Sequence, residues 1–194
     1  MSRKESILKT AVSLFAQRGF SATPTSSIAK EAGVAEGLIF HYFRTKEDIL
    51  LQVLKDMIET YLAGSKPLVE KCSTGLEAVK SLIDFHFQFS IDNSEALLVL
   101  LRDLPNSFLQ EGGLSNEAIK HGLNGVIGLL EQSISRGKED GTIKAEIPPR
   151  ETAFLLHGML SGVSRLQLLE PIQVPDLKDQ VIDFCYRSIA KNSR

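Results

Sequence analysis

Tryptophan is absent from the chain and cysteine nearly so. The two thiols, Cys72 and Cys185, are far apart and match no zinc or redox spacing, so they read as small core or surface residues. The four histidines, 41, 86, 121 and 157, fall 35 to 45 residues apart, and no pair has metal-ligand spacing. No serine sits in a nucleophile elbow and no glycine-rich loop follows a strand. These absences argue against a metal protein or a small helical enzyme, and no cofactor is expected. The most apolar window, Ala153 to Val163, contains His157 and is far too short to span a bilayer. The first residues, Met1-Ser2-Arg3-Lys4-Glu5, hold no apolar core of signal-peptide length, so the expected location is cytoplasmic, with no membrane partner.

What is present is a foldable, unevenly charged chain. Of its 194 residues 43% are hydrophobic and 24% charged, which places it among globular rather than disordered sequences. The net charge of −2 hides an asymmetry. Residues 1–46 carry seven lysines and arginines against three acids, a net +4, while the remainder is net −6. A basic head on an acidic body suits a nucleic-acid-binding segment attached to a body that avoids nucleic acid.

Helical periodicity dominates, and no sustained two-residue alternation argues for a sheet. The spacing of Ile7, Leu8, Ala11, Leu14 and Phe15 predicts a first helix over 3–18, stopped by Gly19. Thr23 as cap and Pro24 at the first position predict a second helix, ending at Ala32-Gly33. A short third covers 36–43, and Thr45-Lys46-Glu47-Asp48 resembles a capping box for a fourth over 46–62. Further helices are expected at 75–90, 93–104, 115–138, 150–169 and 175–191, punctuated by Gly75, Asp92, Pro105, Gly112-Gly113, Pro148-Pro149, Pro171 and Pro175. About nine helices without a strand make an all-α fold. Residues 1–46 are expected to form a three-helix, helix-turn-helix head, and 47–194 a larger helical body.

Two helices of seven or eight residues cannot stand alone. Small Ala29 and Gly33 let them cross closely, and Ile28, Val34, Ile39 and Phe43 lock them to the first helix. One helix then braces while the next enters a DNA major groove. Ile28-Ala29-Lys30-Glu31-Ala32-Gly33-Val34, then Gly37-Leu38-Ile39-Phe40-His41-Tyr42-Phe43 and Lys46, resembles the DNA-binding signature of the TetR/AcrR family. Leu14-Phe15-Ala16-Gln17-Arg18-Gly19-Phe20 is similar to that family's first helix, and the likeness is close over residues 7–50. The resemblance implies phosphate contacts from Thr25 and Ser26 at the start of the second helix. It implies exposed recognition positions at Glu36, Gly37, Leu38, Phe40, His41 and Tyr42, and a backbone-gripping lysine at Lys46. Ala35, Leu38 and Phe40 depart from the Ser or Thr, Thr and Tyr frequent in the family. Leu38 and Phe40 suit thymine methyls, and Glu36 suits a cytosine amine.

The same resemblance implies that the body binds a small effector and dimerises, giving a ligand-responsive regulator, a repressor released from a pseudo-palindromic operator. From the residues, an apolar pocket is expected among Phe85, Phe89, Leu98, Leu101, Ile127 and Phe154, with His86, Arg102 and His121 as polar anchors. Such a lining suits an apolar or amphipathic molecule. Gly122, Gly125 and Gly128 recur every third residue in one helix. Either a neighbouring helix packs close there or Gly125 borders the ligand. The homodimer interface is expected on the last two helices, at Leu155, Gly158, Met159, Gly162 and Leu166, and at Leu177, Val181 and Phe184. A helical module binding a protein instead of DNA is the alternative from a different class.

Overall fold

The computed structural model describes residues 2–103, 117–169 and 176–191. Pro105, Gly112-Gly113, Pro171 and Pro175 lie outside the described residues. Within them the chain forms nine helices: α1 (Arg3–Arg18), α2 (Thr25–Glu31), α3 (Glu36–Tyr42), α4 (Lys46–Lys71), α5 (Gly75–Asp92), α6 (Ser94–Asp103), α7 (Glu117–Glu139), α8 (Pro149–Leu169) and α9 (Lys178–Ile189). The expected all-α class holds. Contacts divide the chain into two compact units, Met1–Met57 with Asn93–Lys120, and Ile58–Asp92 with His121–Arg194.

The first unit is built on α1. Ser2 accepts from the Glu5 amide (3.2 Å) while Glu5 Oε2 accepts from the Ser2 amide (2.8 Å), a reciprocal cap that starts the helix where sequence places it. Its buried stripe of Ile7, Ala11, Leu14 and Phe15 joins Ile28, Ile39, Phe43, Ile49 and Leu50 in one core. Val99 and Leu100 of α6 belong to that core too. Arg102 of α6 donates to the carbonyls of Phe15 (2.6 Å) and Ala16 (3.2 Å), placing a cation on the negative end of α1.

Thr23 does not cap α2 as its spacing suggests. The helix starts at Thr25 after Pro24, and Thr23 is fully buried with its hydroxyl donating to the Gly19 carbonyl (2.8 Å). A buried hydroxyl needs a partner, and the Gly19 carbonyl supplies one. The fourth helix does begin with the expected box, Thr45 and Asp48 exchanging amide-to-side-chain bonds of 3.1 Å each. It runs on to Lys71 instead of stopping near 62 and takes Pro67 inside.

The second unit packs α5, α7, α8, α9 and the later part of α4 around Leu82, Ile83, Phe87, Leu130, Ile134, Leu156 and Leu160. Arg136 donates to the carbonyls of Val69 and Cys72 at the end of α4, as Arg102 does for α1. Gly75 and Gly137 let backbone meet backbone, since a Cβ on Gly75 would collide with the Gly137 main chain. The glycine stripe of α7 is resolved the same way at one end. A Cβ on Gly122 would come within 2.5 Å of Ile58, and one on Gly125 within 3.3 Å of Leu62, both on α4. One on Gly128 would meet nothing within 4 Å. At Gly122 and Gly125 the stripe makes room for α4, and at Gly128 it does not.

Candidate nucleic-acid interface and effector region

The turn between α2 and α3 needs Gly33, whose φ of +65° is a left-handed conformation costly for other residues. Ala29 is buried, and its carbonyl accepts from Val34 N (3.0 Å), closing the turn. Ile39 then plugs α3 into the core, which fixes what the helix shows outside. Glu36, Gly37, Phe40, His41 and Tyr42 are exposed, Phe40 by 52%, and the His41 and Tyr42 rings meet edge to face at 5.1 Å. Leu38 is a correction. It is half-buried against the core rather than exposed, because a short helix needs a second apolar residue beside Ile39 to hold it.

Thr25 and Glu36, expected to face DNA separately, are brought together: Thr25 Oγ1 donates to Glu36 Oε1 at 2.8 Å, linking the first residue of α2 to the first of α3. Ser26 is exposed one residue further on. Lys46 Nζ donates to the carbonyls of Phe20 (2.8 Å) and Thr23 (3.1 Å) and lies 4.3 Å above the Phe20 ring. It therefore ties α4 to the loop that sets α2 in place.

The expected pocket residues fall in both units. Leu98, Leu101 and Arg102 belong to the first unit, where Arg102 caps α1, while Phe85, His86 and Phe89 belong to the second. His121 is exposed on α7, Ile127 packs on the second core, and Phe154 is exposed beneath Arg150 (5.5 Å). Phe85, His86 and Phe89 do assemble, around Tyr61 of α4, which sequence reading passed over. Tyr61 meets Phe85 at 5.1 Å, Phe89 at 5.2 Å and His86 at 6.0 Å between ring centroids. Gly64 makes this possible, since a Cβ there would come within 2.7 Å of the Phe85 ring. Burial pushes the Tyr61 hydroxyl up to about 12. Burial, reinforced by nearby His157 and only partly opposed by a bond to the Leu160 carbonyl, brings His86 down to about 4. Ser164 Oγ meets the same imidazole and Ser90 Oγ in turn meets Ser164 Oγ, and both serines were missed because a lone serine in an apolar stripe carries little signal.

On α8 and α9, Leu155 (73% exposed), Gly158, Gly162, Leu166 and Phe184 (62%) present an apolar face to the outside. A Cβ on Gly158 or Gly162 would meet nothing within 4 Å. Val181 is a correction: it is buried in its own subunit with Cys185 and Ile189, four residues apart on the inner stripe, so it is not free for a partner. Leu177 and Met159 also lean partly on that core.

A tight helical pair that turns on Gly33, is braced by α1 and presents the outer side of α3 defines a helix-turn-helix DNA-binding regulator. The family profile described as bacterial regulatory proteins, tetR family, matches residues 7–53. The fatty acid metabolism regulator protein of Bacillus subtilis (strain 168) is 31% identical over 154 residues, covering 79% of this chain and 77% of that one. The chain belongs to the tetR family of bacterial transcriptional regulators. Two solved structures share its fold. The fatty acid degradation regulator FadR of Bacillus halodurans has a TM-score of 0.82 at 24% identity and covers 96% of this chain and 95% of its own. FadR of Bacillus subtilis, in complex with stearoyl-CoA, has a TM-score of 0.79 at 23% identity, covering 93% and 96%. Among the described residues no helix is long and apolar enough to cross a membrane.

Proposed function

We propose that the protein is a homodimeric repressor, released from its operator by a long-chain acyl-CoA. The observation that carries the effector class is the ring cluster of Tyr61, Phe85 and Phe89, an apolar group with one imidazole beside it. The fatty acid regulator among its relatives, and the related fold bound to stearoyl-CoA, support the same class. The exposed face of Leu155, Leu166 and Phe184 supports the dimer. On this reading the protein is a cytoplasmic binding protein and not an enzyme.

Two copies would set their α3 helices in successive major grooves about one helical turn apart. Phe40, His41 and Tyr42 would read bases, while Ser26 and the remaining N–H of Lys46 would touch phosphate. The chain passes between the units after Met57, after Asp92 and after Lys120. A ligand in the second unit therefore has three covalent routes to the first. It shifts the equilibrium only by its preference for the DNA-incompetent state, on the order of 1–3 kcal/mol per site. The test is fluorescence anisotropy on an operator obtained by selection, titrated with stearoyl-CoA, coenzyme A and stearate. Stearoyl-CoA is expected to release the DNA at micromolar concentration and coenzyme A is not. Release by none of the three would remove the acyl-CoA reading.

A further inference from the structure

The polar groups beside the ring cluster form a hydrogen-bond chain whose direction can be assigned. Ser90 Oγ donates its only proton to the His86 carbonyl, 2.8 Å away. Ser164 Oγ lies 3.1 Å from Ser90 Oγ, so Ser164 supplies the proton of that contact. Ser164 then has only lone pairs to offer His86 Nε2, at 3.3 Å, and Nε2 must carry the ring proton. With His86 neutral, Nδ1 is left as a bare acceptor, buried and without a partner among the described residues. Such a group is costly to leave unpaired, and native proteins rarely do so.

We infer that His86 Nδ1 is the polar anchor of the effector site and accepts a hydrogen bond from an N–H or O–H of the ligand, whose apolar part lies on Tyr61, Phe85 and Phe89. This rests on the effector reading above and sharpens it. A thioester has no donor of its own. In an acyl-CoA the first donor past it is the amide N–H two carbons beyond the sulfur. The anchor therefore selects the pantetheine amide, and a free acyl ester lacks what it needs. Ser90 and Ser164 are positioning residues, since they hold the tautomer and touch no ligand.

Two small probes separate donor from chain: S-dodecanoyl-N-acetylcysteamine, which keeps that amide, and S-pentyl thiododecanoate, which lacks it. Calorimetric titration of the full chain is expected to show the amide probe binding about tenfold tighter. His86→Leu should bring the two within about twofold of each other, and His86→Gln, which keeps an acceptor, should restore part of the preference. Ser164→Ala keeps the imidazole but frees its proton to move, and should also reduce the preference, which provides a second route if His86→Leu does not fold. Nitrogen NMR of the ring should show Nε2 protonated and Nδ1 bare. A wild type without preference, a preference unchanged in both His86→Leu and Ser164→Ala, or a protonated Nδ1 overturns the anchor. If stearoyl-CoA still releases DNA in that case, the effector reading survives. If neither probe nor stearoyl-CoA binds, both fall.

Discussion

The two units handle their polar and apolar surfaces in opposite ways. In the first, the groups around α2 and α3 are satisfied internally: Thr25 by Glu36, Lys46 by two loop carbonyls, and the end of α1 by Arg102. In the second, a buried imidazole acceptor has no partner among the described residues, and Leu155 and Phe184 stand largely exposed. A unit that reads a rigid duplex gains from being complete beforehand, because little ordering is left to offset on binding. On the proposed function, the second unit would be completed by what it binds.

The largest expected effect breaks the assembly half of this contrast. Leu155→Glu with Phe184→Glu places four carboxylates in a dimer's buried face. Sedimentation should show a helical monomer at micromolar concentration, with operator affinity lowered at least about 100-fold, because one head reads one half-site. A wild type that sediments as a monomer would remove the dimer outright.

Next in size is acid sensitivity, which should originate in the second unit. His86 has a folded value of about 4 against about 6.5 for the free side chain, so the fold favours the neutral ring. Its contribution is fully present above pH 6.5 and is lost as pH falls from there toward 4, by about 3 kcal/mol at most. His157 is lowered as well, with burial as the cause, and acts in the same direction. Chemical denaturation at pH 7 and pH 5 should show this loss, and His86→Gln should flatten it. An equal slope in that variant would place the sensitivity elsewhere.

Arg102→Ala tests completeness in the first unit. Two carbonyls at the end of α1 lose a charged donor, an effect of about 1–2 kcal/mol after allowing for the exposed guanidinium. That corresponds to a fall in melting temperature of roughly 2–8 °C. For Lys46→Ala the expected change is uniform weakening across operator variants, with a salt slope shallower by about 1 per subunit. An unchanged slope would leave Lys46 as a loop tie alone. The smallest effect separates two glycines of α7. Gly128→Ala should stabilise by up to about 1 kcal/mol in an open position, while Gly122→Ala should destabilise by about 1–3 kcal/mol against Ile58.

How much was legible in advance follows the same division. The caps of α1 and α4, the turn at Gly33 and the inward Ile28, Ile39 and Phe43 are local features, set by residues a few positions apart. The head could therefore be read from sequence. Membership of α6 in the first unit could not, because Arg102 is joined to Phe15 across 87 positions and its helix shows only that it has an apolar side. In α9, inner Val181 and outer Phe184 lie on different faces of an ordinary helix, and spacing alone does not say which face meets its own subunit. Tyr61 carried no motif; only the fold sets it beside Phe85 and Phe89.

The measurement that bears most directly on the account is affinity selection of random double-stranded DNA on the purified full chain, read by sequencing. A dimer presenting two α3 helices should enrich a two-fold symmetric motif whose half-site centres lie about one helical turn apart. Enrichment of no motif, or of one without two-fold symmetry, would contradict it.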